Sequence, residues 1–215
     1  MGKKIIAIGD SIVYGRIDPI HGGWVGRLRS WYVPQKPSEN AVFNLGIGGE
    51  TISKLLRRFE VECRTREADI ILIGIGVNDC RKVGSPKCDY ETPPELFANS
   101  LDSLLQLSKR LSPLTVFVGM TPVDESRTTP IPIKNYWHLV DAQRMFDEIT
   151  RDQCQKHGIP YIDNFTRWMN LGKSLLRLGK PNYTRLLADG LHPNAKGHEF
   201  LFETIRAFLQ ENSYP

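Results

Sequence analysis

Nothing in this chain of 215 residues approaches the ~18 consecutive apolar residues that a membrane-crossing helix requires. At the amino terminus, MGKKIIAIGD, the apolar run Ile5–Ile8 is too short for a signal-peptide core and meets Asp10 almost at once. Gly2 has Ile6 four residues on, where a myristoylation signal needs Ser or Thr. These absences argue against a membrane partner and predict a cytoplasmic location. Cysteine is scarce as well. The four present, Cys63, Cys80, Cys88 and Cys154, show neither Cys-x-x-Cys nor zinc spacing, so free thiols are expected. Cys80 and Cys88 fall in one loop, where oxidation could pair them. Charge of one sign is nearly absent as a surplus. The 28 Lys and Arg against 24 Asp and Glu leave +4, with no basic block or stripe, so nucleic acid is not implied. No His, Asp and Glu set has metal-ligand spacing, and neither a metal nor another cofactor is expected. There is no internal repeat, low-complexity segment or linker, which predicts one domain over residues 1–215. No feature sets an oligomeric state.

What is present is a soluble globular composition, 40% hydrophobic and 24% charged, long enough to bury a core. Short apolar, β-branched runs recur at Lys4–Ile8, Ala41–Leu45, Ile70–Ile75, Thr115–Val118 and Tyr161–Ile162. Most are bounded by Gly, Pro, Asn or Asp, as buried strands are. Helical periodicity lies between and after them. Phe97, Leu101, Leu104 and Leu105 share one face, as do Ala142, Met145, Phe146 and Ile149, and Leu201, Ile205, Phe208 and Leu209. Alternating strands and helices predict an α/β fold with a parallel sheet and helices on both faces. Long connections at Cys80–Pro94 and Met120–Lys134, and a third region at Trp168–Ala188, are expected to shape a site.

Ligands of such sheets bind beyond the carboxyl ends of the strands, where strand order reverses. With the order 2-1-3-4-5, Ser11, Gly49 and Asn78 become neighbours there, although far apart in sequence. A serine attacks a carbonyl only with a general base in reach, a group that orients the base, and donors for the oxyanion. In "ADGLHPNAKG", Asp189 precedes His192 by three residues, close enough across a tight loop to reach the imidazole Nδ1 and leave Nε2 as base. The same segment also reads as a capped helix start, with Pro193 opening the final helix. The other histidines, His21, His138, His157 and His198, read as surface or capping residues. "NLGIGGE" supplies glycines that let backbone N–H groups approach a ligand, and "GIGVND" supplies the Asn78 amide. Asp10 and Asp79 read as turn-supporting carboxylates.

Each signal alone suits a turn. In the order Ser, Gly, Asn, Asp-x-x-His, the blocks "IGDSIVYG", "NLGIGGET", "GIGVND" and "DGLHPN" resemble the SGNH branch of the GDSL esterase/lipase family from Ile8 to Asn194. Ile12 stands where that family usually has Leu. The resemblance implies a flavodoxin-like three-layer α/β/α sandwich with a five-stranded parallel sheet. It also implies Ser11 as nucleophile, His192 as base and Asp189 as its orienting acid. The oxyanion hole it implies comprises the Ser11 and Gly49 N–H groups and the Asn78 side chain, with Gly49 chosen because it directly precedes Glu50. The implied activity is hydrolysis of a small or short-acyl carboxylic ester, with deacetylation of an acetylated sugar or other small molecule as the alternative. Among loop residues, Trp24, Tyr136 and Tyr183 are candidate substrate contacts, with Arg127, Lys134, Trp137 and Arg185 beside them. A binding or signalling module on the same fold would leave Ser11, Asn78 and Asp189-x-x-His192 without a task.

Overall fold

A computed structural model describes residues 2–171, 182–212 and 214. Five parallel strands form the main sheet: β1 (Lys4–Gly9), β2 (Ala41–Gly46), β3 (Ile70–Gly74), β5 (Leu114–Val118) and β7 (Tyr161–Ile162). Their spatial order is β2-β1-β3-β5-β7. Counting only these five, that is the expected 2-1-3-4-5. β1, β2 and β5 each extend their apolar run by one residue, β7 coincides with its run, and Ile75 lies beyond the end of β3. In the central pairing Ile6 faces Ile71 and Ile8 faces Ile73, with all four side chains buried.

Side chains alternate across a strand, so one continuous apolar run supplies two cores. Ile6, Ile8, Ile71 and Ile73 point to one face. There they meet α3 (Ile52–Arg66), α4 (Pro94–Leu111) and α6 (Val140–His157) through residues such as Phe59, Phe97 and Phe146. Ile5, Ala7, Ile70 and Leu72 point to the other face. Their partners there come from α2 (Gly23–Tyr32), α7 (Asn164–Leu171) and α8 (Ala195–Glu211), among them Trp24, Leu28, Trp168 and Ile205. Large apolar side chains interdigitate on both faces. Truncating one of them, as in Phe97→Ala, falls in the class of core changes that costs about 3–5 kcal/mol.

Two further elements were not visible as apolar runs. β4 (Lys82–Val83) and β6 (Tyr136–Trp137) are two-residue strands that pair antiparallel, Lys82 with Trp137 and Val83 with Tyr136. They tie the loop after β3 to the loop after β5, which also contains the short helix α5 (Glu125–Thr128). Of the third region, α7 and a 3₁₀ turn at Asn182–Leu186 are described; residues 172–181 lie outside the described residues. All four cysteines are free; Cys80 is buried and Cys88 exposed, so the two are not paired. Among the described residues no helix is long and apolar enough to cross a membrane, and no cluster of His, Cys, Asp and Glu could hold a metal ion.

Candidate functional site

β1 ends at Gly9, and the chain turns at once into α1 (Ser11–Tyr14). Gly9 has φ 153°, and a Cβ there would lie 1.8 Å from the Gly74 carbonyl oxygen, so only glycine lets β1 lie this close to β3. Asp10 caps α1 by accepting from the Ile12 N–H at 2.9 Å. Ser11 is thereby the first helical residue, buried against the sheet end.

From the far end of the chain, the loop between the 3₁₀ turn and α8 brings His192 to it. The Ser11 Oγ lies 2.9 Å from His192 Nε2, and His192 Nδ1 lies 2.7 Å from Asp189 Oδ2. A carboxylate only accepts, so Nδ1 carries the proton, Nε2 keeps its lone pair, and the Ser11 hydroxyl donates to it. Asp189 also accepts from the backbone N–H of Leu191 at 3.0 Å and of His192 at 2.7 Å. Burial works to raise the Asp189 pKa, but the hydrogen bonds from the His192 ring and backbone outweigh it and hold the carboxyl below its ordinary range. The capping role that competes for this segment falls to Asn194, whose side chain accepts from the Gly197 N–H at 3.0 Å, and α8 begins after Pro193.

Arg127 serves this loop rather than the cleft. Its guanidinium donates to the carbonyls of Ala188 at 2.9 Å and Leu187 at 3.3 Å while pairing with Asp124 at 2.9 Å. Gly190 (φ 94°) passes so close that a Cβ would sit 2.7 Å from that of Arg127. His192 is therefore held by its own loop and by a side chain from α5.

The remaining walls come from the ends of β2 and β3. Gly49 has φ 76°, and a Cβ built there would meet nothing within 4 Å. Among the described residues neither the Ser11 nor the Gly49 N–H has a protein acceptor. Asn78 donates through Nδ2 to the Glu50 carbonyl at 3.0 Å and accepts through Oδ1 from Arg81 Nη1 at 3.2 Å. A guanidinium can only donate and a carbonyl only accept, so the amide has one orientation, with a second N–H left over. Asp79, next in sequence, accepts from the Ile52 N–H at 3.1 Å and the Thr92 hydroxyl at 2.7 Å, which anchors α3 and the β3 loop together.

These groups surround a cleft of about 200 Å³, lined by Ser11, Gly49, Asn78, Asp189 and His192 together with Arg16, Arg81, Lys134, Tyr136 and His138. Of the candidate substrate contacts, Tyr136 lines it. Trp24 does not: it is 1% exposed in the core and borders a separate pocket of about 20 Å³. Tyr183 is also buried, its hydroxyl donating to the Val123 carbonyl at 3.2 Å. Trp137 and Arg185 do not line it either, whereas Lys134 does. An aromatic beside a glycine pair suits a core as well as a pocket, and only packing separated the two.

The reading of the histidines as surface or capping residues fails at His138; His198 caps the start of α2, though from a buried position. His198 is buried and bridges the Trp24 N–H, at 3.3 Å, to the Arg16 carbonyl, at 3.2 Å. His138 is 1% exposed and lines the cleft; burial, reinforced by Arg81, pushes it down to about 3, so it stays neutral. Arg81, not singled out from the sequence, is nine-tenths buried with Tyr136 stacked 4.0 Å from its guanidinium and Glu91 3.3 Å away. Its one sequence signal was position: it closes the "GIGVNDCR" turn, three residues after Asn78.

The model of the GDSL-like lipase/acylhydrolase family matches residues 7–200. The chain belongs to that family. It is accordingly a carboxylic ester hydrolase. An acetylxylan esterase from Geobacillus stearothermophilus is 26% identical over 98% of this chain and 94% of its own length. The crystal structure of an acetylxylan esterase from Geobacillus stearothermophilus superposes with a TM-score of 0.72 at 20% identity, covering 99% of this chain and 95% of that one. A lipase/acylhydrolase from Enterococcus faecalis gives 0.74 at 21% identity, covering 98% and 96%. These structures share the three-layer α/β fold.

Proposed function

We propose that this esterase removes short acyl groups, acetyl above all, from a small acylated alcohol such as an acetylated sugar, with Ser11 as nucleophile. The observation that carries the reading is the unbroken hydrogen-bond chain from Ser11 Oγ through His192 to Asp189, at 2.9 and 2.7 Å. The acetylxylan esterase relative, and a lining whose aliphatic side chains are Ile131 and Leu191, support a short acyl group over a long one.

In the first step His192 Nε2 takes the Ser11 proton as Oγ bonds to the acyl carbon, and the carbonyl oxygen becomes an oxyanion. The Ser11 N–H, the Gly49 N–H and the second N–H of Asn78 donate to that oxygen. Collapse of the intermediate breaks the bond to the alcohol oxygen, which takes the proton from His192 and leaves the acyl group on Ser11. Water then gives a proton to His192 and its oxygen to the acyl carbon. The Ser11 Oγ departs, regains a proton from His192, and the carboxylic acid is released. Asp189 stays ionised throughout and stabilises the imidazolium.

A fluorophosphonate ester tests the assignment. The wild type should gain one phosphonyl group, found on the Ser11 peptide by mass spectrometry, and Ser11→Ala should gain none. Labelling elsewhere, or an Ala variant that still hydrolyses p-nitrophenyl acetate at the wild-type rate, overturns it.

A further inference from the structure

The charges around the cleft are unbalanced. Three cations line it, Arg16, Arg81 and Lys134, against one carboxylate, Asp189. Asp189 is already engaged by His192 at 2.7 Å. Arg81 is partly balanced by Glu91, but among the described residues Arg16 and Lys134 make no ion pair. Arg16 Nη1 stands 4.0 Å from where a Cβ on Gly48 would be, beside the proposed oxyanion donors. Lys134 and Arg81 both approach the Tyr136 ring, at 5.8 and 4.0 Å from its centroid. Cations therefore flank the cleft on two sides. Arg81 is also held in place with its Nε buried and without a hydrogen-bond partner among the described residues.

Unpaired cations at the mouth of a cleft raise the local concentration of anionic ligands, and arginine adds directional, charge-assisted hydrogen bonds to carboxylate or phosphate. From this arrangement we infer that the alcohol part of the substrate carries an anionic oxygen group, carboxylate or phosphate, which Arg16 and Lys134 hold while the acyl group sits at Ser11. The inference rests on the short-acyl esterase reading, and names the substrate class that reading leaves open. Arg81 supplies the fixed charge behind them, but because it also orients Asn78, the test turns on the other two.

Hydrolysis of 3-acetoxybenzoate, of its neutral methyl ester and of 3-acetoxyphenyl phosphate is followed by acetate release. At low salt, kcat/KM for the better charged ester should exceed that for the methyl ester about tenfold or more. The ratio should shrink as salt approaches roughly 1 M, where the screening length is only about 3 Å. In the double variant Arg16→Gln, Lys134→Gln the ratio should fall at least about fivefold. Whichever charged ester is faster identifies the anion. A ratio near one in the wild type at low salt, or one that survives the double variant, overturns the inference. Failure of the esterase reading itself shows separately, on p-nitrophenyl acetate, which carries no anionic group.

Discussion

The two sides of the cleft are built differently. Ser11, His192 and Asp189 sit in a chain of hydrogen bonds of 2.7 to 2.9 Å, and the loop that bears His192 is clamped by Arg127. Opposite them, Arg81, Tyr136 and His138 lie in loops joined by the two-residue strands β4 and β6. Arg81 Nε and His138 Nδ1 are there left buried without a partner among the described residues. On one side the Ser11, His192 and Asp189 side chains are all hydrogen-bonded to one another, the arrangement that the proposed proton transfer needs. The other holds Arg81 and Lys134 and leaves two buried ring and guanidinium nitrogens unsatisfied among the described residues. On the proposed function, the contrast would separate chemistry, which tolerates little misplacement, from recognition, which tolerates more.

Substitutions can break that contrast. Asp189→Asn strikes the hydrogen-bonded side hardest. An amide that turns its N–H toward His192 favours the wrong tautomer, and kcat should fall by about 10³ to 10⁴, with KM for p-nitrophenyl acetate little changed. A loss under tenfold in steady-state kinetics would show that the loop alone orients the imidazole.

Arg81→Met probes the other side. The Asn78 amide loses the donor that fixes its orientation, and kcat should drop about tenfold while KM for a neutral ester barely moves. A double-mutant cycle sharpens this: in an Asn78→Ala background, itself about a hundredfold slower, Arg81→Met should add little. Additive losses would mean that Arg81 acts on the substrate or on loop packing instead.

The smallest effect concerns stability beneath the Ser11 turn. Burial pushes Asp10 from an ordinary 3.8 up to about 7, and burial likewise pushes Asp79 up to about 6. The folded protein keeps a proton on Asp10 that the unfolded chain releases near pH 4. This contribution is therefore whole below pH 4 and lost as pH rises through 7. Asp10→Asn retains an oxygen for the Ile12 N–H and removes the ionisation. Its melting temperature relative to wild type should climb by on the order of 5 °C between pH 4 and 8, measured by scanning calorimetry at stepped pH. A difference independent of pH would show that Asp10 does not titrate in that window.

Legibility in the sequence followed the range of each interaction. The strands could be read because a parallel strand is buried on both faces and so shows as a bare apolar run. Asp189 and His192 could be read because three residues separate them. Arg81 and His138 could not, since their place on the cleft depends on two loops meeting across β4 and β6, which share no local pattern. Trp24, Tyr183 and Arg127 were legible only as loop residues. Packing put the first two in the core and the third behind the His192 loop.

The sequence by itself determined the element order, the two-faced core and the segments that bear Ser11, Asn78, Asp189 and His192, because apolar periodicity and short spacings are local properties of a chain. Tertiary structure alone decided how the Asn78 amide is turned, which candidate aromatics stay in the core, and that three cations share one cleft. Those facts depend on distances between residues remote in sequence, and only the folded sheet with its paired loops sets them.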